Sequence, residues 1–183
     1  RREKNMSNQK LLISRRTLLL GATSGLAIPL FVPGLVRGAP GQPGPNERIG
    51  IGAIGVGNRA GLLLEQLPED GRIVALSDCN LPRAEAFKQK KGGDWPIYQD
   101  YRRLLERKDV DAVIVATLDF QRVLPCIHAC QAGKDIYAEK PLSLYIHEGR
   151  VLVEAVRKYK RVLQVGTQQR SMAINRIACE FVR

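Results

Sequence analysis

From residue 48 onward the chain alternates short, unbroken apolar runs with longer stretches of helical period. Runs at 49–54, 73–77, 112–116, 135–138 and 162–166 predict strands apolar on both faces. Between them the period shifts toward 3.6, predicting helices at 59–66, 81–90, 101–107, 121–132 and 144–159. The longest helix carries its apolar stripe on Leu144, Val151, Leu152, Ala155, Val156 and Tyr159. Local punctuation agrees: Asp100 is placed to cap a helix opening at Tyr101, and Gly133 to close the one ending at Ala132. Strands alternating with helices predict an α/β, doubly wound parallel sheet covered on both faces. Residues 48–170 suit one such domain. Residues 171–183 predict a further helix that stops without a closing turn, so we expect the chain to be incomplete at its C-terminus.

The first 46 residues do not follow this pattern. Met6 reads as a start, with residues 1–5 as upstream sequence. Ser14-Arg15-Arg16-Thr17 leads into an apolar stretch that runs to Val36, with Gly21, Gly25, Pro29, Pro33 and Gly34 weakening it as a helix. A basic start, an apolar middle and a small-residue exit at Val36 and Gly38 make the order of a secretion signal. The Arg15-Arg16 pair resembles the twin-arginine export signal. Residues 1–38 are therefore expected to be a twin-arginine signal segment, 39–47 a Pro/Gly linker, and the protein to be exported, periplasmic or extracytoplasmic, with no membrane attachment once the signal is removed. An uncleaved anchor is the alternative, because the stretch approaches the ~20 residues that span a bilayer.

This segment also changes the meaning of the charge. The chain holds 29 basic and 18 acidic residues, a formal net of +11. Residues 38 and below hold seven of the basic and one of the acidic residues, which leaves 22 against 17 and a net of +5. No basic patch interleaved with aromatics remains to argue for a nucleic-acid partner. The runs 88–91 and 157–161 fall at predicted helix ends, where cations complement the helix dipole.

The first strand runs into Gly55-Val56-Gly57-Asn58-Arg59-Ala60, which fits G-x-G-x-x-[G/A], the turn that holds a dinucleotide pyrophosphate. Gly55 would allow the tight turn, and Gly57, without a Cβ, the close approach of backbone to phosphate. Ala60 would let the helix pack on the strand. The helix start at Asn58 and Arg59 offers free N–H groups and the positive end of a dipole to the anion. Asp78 ends the second strand, 21 residues after Gly57, where an acid accepts hydrogen bonds from the ribose hydroxyls. It would repel a 2′-phosphate, which favours NAD; Arg83 nearby leaves NADP open. A second reading of Asp78 is a cap for the following helix. Methyltransferases share both features.

Four cysteines and two histidines do not combine into a metal site. In Cys126-x-His128-x-Cys130 on a helix, positions two apart point about 200° apart, so His128 cannot join the thiols around one metal. Cys130 shares an apolar face with Val123 and Ile127 and is expected in the core. No metal is expected, and neither His128 nor His147 is given a catalytic role.

Asp135-Ile136-Tyr137-Ala138-Glu139-Lys140-Pro141-Leu142-Ser143 carries a family resemblance. Glu-Lys-Pro just after the fifth strand of a nucleotide fold resembles the Gfo/Idh/MocA oxidoreductases. Further blocks agree in order and spacing: the glycine turn, residues 98–105, 110–117 and 130–135, and Val165-Gly166-Thr167-Gln168-Gln169-Arg170-Ser171. The resemblance spans about residues 48–183 and looks nearest to the exported, twin-arginine members. It implies a Rossmann domain that binds NAD, with NADP open, and hydride transfer between nicotinamide and a sugar or polyol. It implies that Lys140 stands beside the nicotinamide and the substrate hydroxyl, and that Glu139 contacts the cofactor ribose. Lys140 would stabilise a developing alkoxide or join the proton relay. Thr117 would line the cofactor cleft, and Gln169 and Arg170 the substrate side.

The resemblance fails at two places. Where such proteins often read Thr-Pro-Asp-His-x-His, this chain reads Thr117-Leu118-Asp119-Phe120-Gln121-Arg122, without the proline or either histidine. The family's C-terminal α/β domain, which supplies substrate contacts and the oligomer interface, is largely absent, so a homo-oligomer is expected only of a full-length protein. A nucleotide-binding module that holds NAD without turnover is the alternative function. A short-chain dehydrogenase is disfavoured because no Tyr-x-x-x-Lys occurs.

Overall fold

A computed structural model of the chain describes residues 47–183. The segment expected to be a twin-arginine signal, and all but the last residue of the expected 39–47 linker, lie outside the described residues. Six strands form one parallel sheet: β1 (Ile49–Ile54), β2 (Gly71–Ser77), β3 (Ile97–Tyr98), β4 (Ala112–Val115), β5 (Asp135–Glu139) and β6 (Leu163–Gly166). Their order is β3-β2-β1-β4-β5-β6, the doubly wound order of the Rossmann fold, as expected. The α-helices among the described residues are α1 (Asn58–Glu65), α2 (Leu81–Lys91), α3 (Tyr101–Leu105), α4 (Val123–Gln131), α5 (Ile146–Tyr159) and α6 (Ala173–Phe181).

Alternation along each strand divides the core in two. Ile54, Ala75, Val113, Val115, Ile136 and Ala138 face one layer with residues of α3, α4 and α5. Ala53, Leu76 and Ile114 face the other, with Leu64 of α1 and Ala84 of α2. Buried on both faces, these strands needed the continuous apolar runs from which they were read.

The differences from the sequence expectations are local. β3 was not expected; it is two residues long on the sheet edge, pairing with Leu76 and Ser77. The helix expected over 121–132 divides into a 3₁₀ turn (Asp119–Gln121) and α4, in which Pro125 occupies the first turn where its missing N–H costs nothing. The helix expected from Leu144 begins at Ile146; Leu144 and Val151 are exposed, while Leu152 and Ala155 enter the core. Asp100 caps α3 through its side chain, which accepts from Arg102 N–H, and Gly133 follows α4 with a left-handed φ of 74°.

Cys126 and Cys130 lie side by side in the core, while His128 turns to the Tyr101 hydroxyl at 2.9 Å. Burial pushes the Cys126 thiol up to about 12. Its folded value therefore lies above the unfolded one, so its contribution to stability is full below about pH 8.5 and fades as pH rises toward 12. We expect a thiol reagent at pH 8 to label exposed Cys79 and Cys179 in the folded protein and to spare Cys126 and Cys130, read by peptide mass.

Candidate functional site

The chain reverses between β1 and β4, and the carboxyl ends of those strands open into a cleft of about 770 Å³. Ligands bind at such a switch point because the loops on either side diverge there. One wall is the glycine turn. Gly55 sits at φ 83°, the left-handed region, and a Cβ on it would lie 3.0 Å from the Ala116 backbone. Its N–H donates to Ser77 O at 2.8 Å, tying the turn to the end of β2. Gly57 leads into α1 in extended conformation without a side-chain cap, so the first N–H groups of α1 have no side-chain acceptor at the cap. A Cβ on Gly57 would meet nothing within 4 Å. That empty face, beside free helix N–H groups, suits a pyrophosphate.

These positions give a separable prediction. Gly57→Val puts its Cβ where nothing lies within 4 Å, and is expected to change stability by about 1 kcal/mol or less. The same isopropyl group fills the space for phosphate, so NAD affinity is expected to fall at least tenfold with little change in melting temperature.

Asp78 is buried at the end of β2, and its carboxylate braces the turn. Oδ2 accepts Val56 N–H at 3.0 Å and Oδ1 accepts Asn80 N–H at 2.8 Å. Asn80, not Asp78, caps α2. The Arg83 guanidinium lies 3.9 Å from Asp78 Oδ2 and is more than half exposed on the cleft wall. Gln99, Asp100, Tyr101 and Arg102 extend the same wall. Arg102 holds the Asp100 carboxyl down to about 2. None of these four was read as a site residue; they follow β3, the strand that the pattern did not show.

A second hollow of about 300 Å³ adjoins the first, sharing Arg59, Ala116 and Thr117 with it, and adds Arg122, Glu139, Lys140 and Gln168. Glu139 ends β5, buried, opposite Gly166 of β6; a Cβ on Gly166 would come within 2.8 Å of its carboxylate. Glu139 Oε1 accepts from Arg59 Nε at 2.6 Å and Oε2 from Lys140 N–H at 3.0 Å. The pair joins the start of α1 to the end of β5 across the crevice. Lys140 is exposed, and the Lys140–Pro141 peptide is cis.

The structure thus brings Gly55, Gly57, Asn58, Arg59, Asp78 and Thr117 to the first hollow, and Arg59, Thr117, Glu139 and Lys140 to the second. Gln169 and Arg170 lie in the turn after β6 and do not line either hollow; their neighbour Gln168 does. Gln169 instead accepts from the Asn175 side chain at 2.7 Å. Arg122, met in the sequence only as a departure, is buried and lines the second hollow.

The residues present fit a dinucleotide. The glycine turn leaves an open cradle, and the two hollows run from the Asp78 end to Lys140. Among the described residues, Arg122 Nε and Gln168 Oε1 are buried without a hydrogen-bond partner, a donor and an acceptor on the walls of one hollow. No group of three or more His, Cys, Asp or Glu among the described residues is arranged to hold a metal.

Comparison with known proteins agrees. The model of the GFO_IDH_MocA oxidoreductase family, NAD-binding Rossmann fold, matches residues 49–167. Inositol 2-dehydrogenase of Paracoccus denitrificans is 32% identical over 123 residues, 67% of this chain and 36% of that protein. The scyllo-inositol dehydrogenase of Lactobacillus casei, solved with NAD(H) and scyllo-inositol, superposes with a TM-score of 0.67 at 20% identity, over 74% of this chain and 41% of that one. A 3-ketoreductase from Actinomadura kijaniata, solved with NADP, gives 0.66 at 27% identity over 74% and 43%. The chain spans about 36% of the length of the curated relatives that it matches. It belongs to the Gfo/Idh/MocA family of oxidoreductases and carries that family's NAD-binding Rossmann fold.

Proposed function

We propose that this chain is the N-terminal, cofactor-holding part of an NAD-dependent oxidoreductase that transfers hydride between nicotinamide and a carbinol carbon of a polyol or sugar. The observation that carries the reading is the continuity of the two hollows: the glycine turn and Lys140 stand on one crevice, joined by the Arg59–Glu139 pair. The inositol dehydrogenases among the relatives favour a polyol over other alcohols. When bound, NAD supplies the hydride-accepting ring.

The chain's own groups have these tasks. Gly55 and Gly57 shape the turn, and the α1 N–H groups take the pyrophosphate charge. Asp78 keeps the turn in place and offers its remaining lone pairs to the ribose. Arg83 beside it supports some use of NADP. Glu139 orients Arg59 and the Lys140 backbone. Lys140 meets the substrate oxygen: its ammonium stabilises negative charge there as the hydride leaves, and in its neutral form it takes the hydroxyl proton. Export by the twin-arginine route belongs to the same reading, and rests on Arg15-Arg16 and the apolar stretch that follows. Fold-then-export would let the cofactor be loaded beforehand.

The test is NADH formation by the whole protein as its gene encodes it, against a panel of inositols and sugars. Turnover of a polyol supports the reading. NAD binding without turnover of any panel member favours the alternative, a nucleotide-binding module.

A further inference from the structure

A buried arginine links the two loops that flank the hollow containing Lys140. Arg122 lies in the short segment between the 3₁₀ turn and α4, and its side chain is only 4% exposed. A guanidinium so placed loses its hydration; both Nη groups are spent on protein acceptors, and Nε alone is left without one. Nη1 donates to the carbonyl of Pro141, 19 residues away and next to Lys140. Nη2 donates to the carbonyl of Thr117 and to Asp119 Oδ1 at 3.3 Å. One planar fork therefore joins the loop after β4 to the turn after β5. Two of the three acceptors are main-chain carbonyls, one in each loop, so what the fork fixes between the loops is backbone. No other hydrogen bond recorded among the described residues joins residues 117–122 to residues 140–144.

The sequence makes this specific to the chain. Arg122 stands where the family pattern carries the second histidine of Thr-Pro-Asp-His-x-His, and Leu118 stands where it carries proline. A loop without that proline keeps more backbone freedom, and an imidazole cannot present the geometry of a guanidinium fork. We propose that Arg122 is a positioning residue: by binding the Thr117 and Pro141 carbonyls it sets where the Lys140 ammonium stands relative to the cofactor cleft. The proposal rests on the reading that Lys140 faces the nicotinamide.

The test follows acetylation of lysines in the whole protein with a water-soluble acetylating ester, with and without saturating NAD, read by peptide mass. Lys134 is the internal control, since its ammonium is anchored on the Arg107 and Val110 carbonyls away from the hollow. In the unsubstituted protein NAD should slow acetylation of Lys140 at least fivefold and leave Lys134 unchanged. In Arg122→Ala, with NAD raised until its site is filled as read by calorimetry, the protection of Lys140 should fall below twofold. Arg122→Lys keeps the charge but has no fork, and should fall between the two; it also serves if the alanine variant does not fold. A purely structural role would lower the melting temperature and leave protection intact in every folded variant. Full protection of Lys140 in folded Arg122→Ala or Arg122→Lys overturns the proposal alone. Absence of protection in the unsubstituted protein despite NAD binding overturns the placement of Lys140, and absence of NAD binding overturns the cofactor reading, each taking the proposal with it.

Discussion

Replacing Lys140 with methionine is expected to lower kcat/KM for polyol oxidation by about 10²–10⁴-fold while NAD affinity and melting temperature hold. Methionine keeps the unbranched, flexible stem of the side chain, one atom shorter, and removes its charge and its titratable nitrogen. Lys140 is exposed and its main-chain N–H, not its ammonium, bonds Glu139, so the fold does not depend on the charge. On the proposed function its value lies in the reaction, where an ammonium at the carboxyl edge of the sheet would favour the oxyanion. Steady-state kinetics with the polyol that turns over, with NAD titrated separately, divides the two effects. A loss of NAD affinity equal to the loss of kcat/KM would make Lys140 a cofactor anchor instead.

Gly55→Val is the second large effect, and it falls on the fold. A β-branched residue at φ 83° is strained, at about 1–3 kcal/mol. Its Cβ would also press on the Ala116 carbonyl group at 3.0 Å and on Thr117 N at 3.1 Å, backbone atoms that cannot turn aside. Overpacking of this kind adds about 1–3 kcal/mol. The expected loss of about 2–6 kcal/mol is a large part of the stability of a small domain. Urea unfolding checks it. Gly57→Val, two residues on, should lose NAD and keep its midpoint, so the pair separates the glycine that shapes the turn from the one that makes room for phosphate.

The legibility of these features followed their range along the chain. Five strands were readable because burial on both faces leaves an unbroken apolar run, and β1 was bounded correctly at both ends. β3 was not readable, since two residues at a sheet edge produce no period. The glycine turn was readable because its demands are local: a positive φ at Gly55 and an absent Cβ at Gly57. Asp78 was visible as an acid at the right spacing, but its acceptance of Val56 N–H joins residues 22 apart and leaves no trace in a pattern. Arg122 was hidden for the opposite reason. An arginine reads as solvated, and the carbonyls of Thr117 and Pro141, brought together by the β4–β5 pairing, with the Asp119 carboxylate, make its burial tolerable. Gln168 is a displacement by one position: the block after β6 was recognised, and the turn there points Gln168 rather than Gln169 or Arg170 into the hollow.

The crevice between β1 and β4 is the expected seat of a nicotinamide dinucleotide. Calorimetric titration of the protein with NAD, and in parallel with S-adenosylmethionine, tests it most directly. One NAD site per chain is expected, abolished or weakened at least tenfold by Gly57→Val, with no binding of S-adenosylmethionine. Tight binding of S-adenosylmethionine without NAD, or NAD affinity untouched by Gly57→Val, would contradict it.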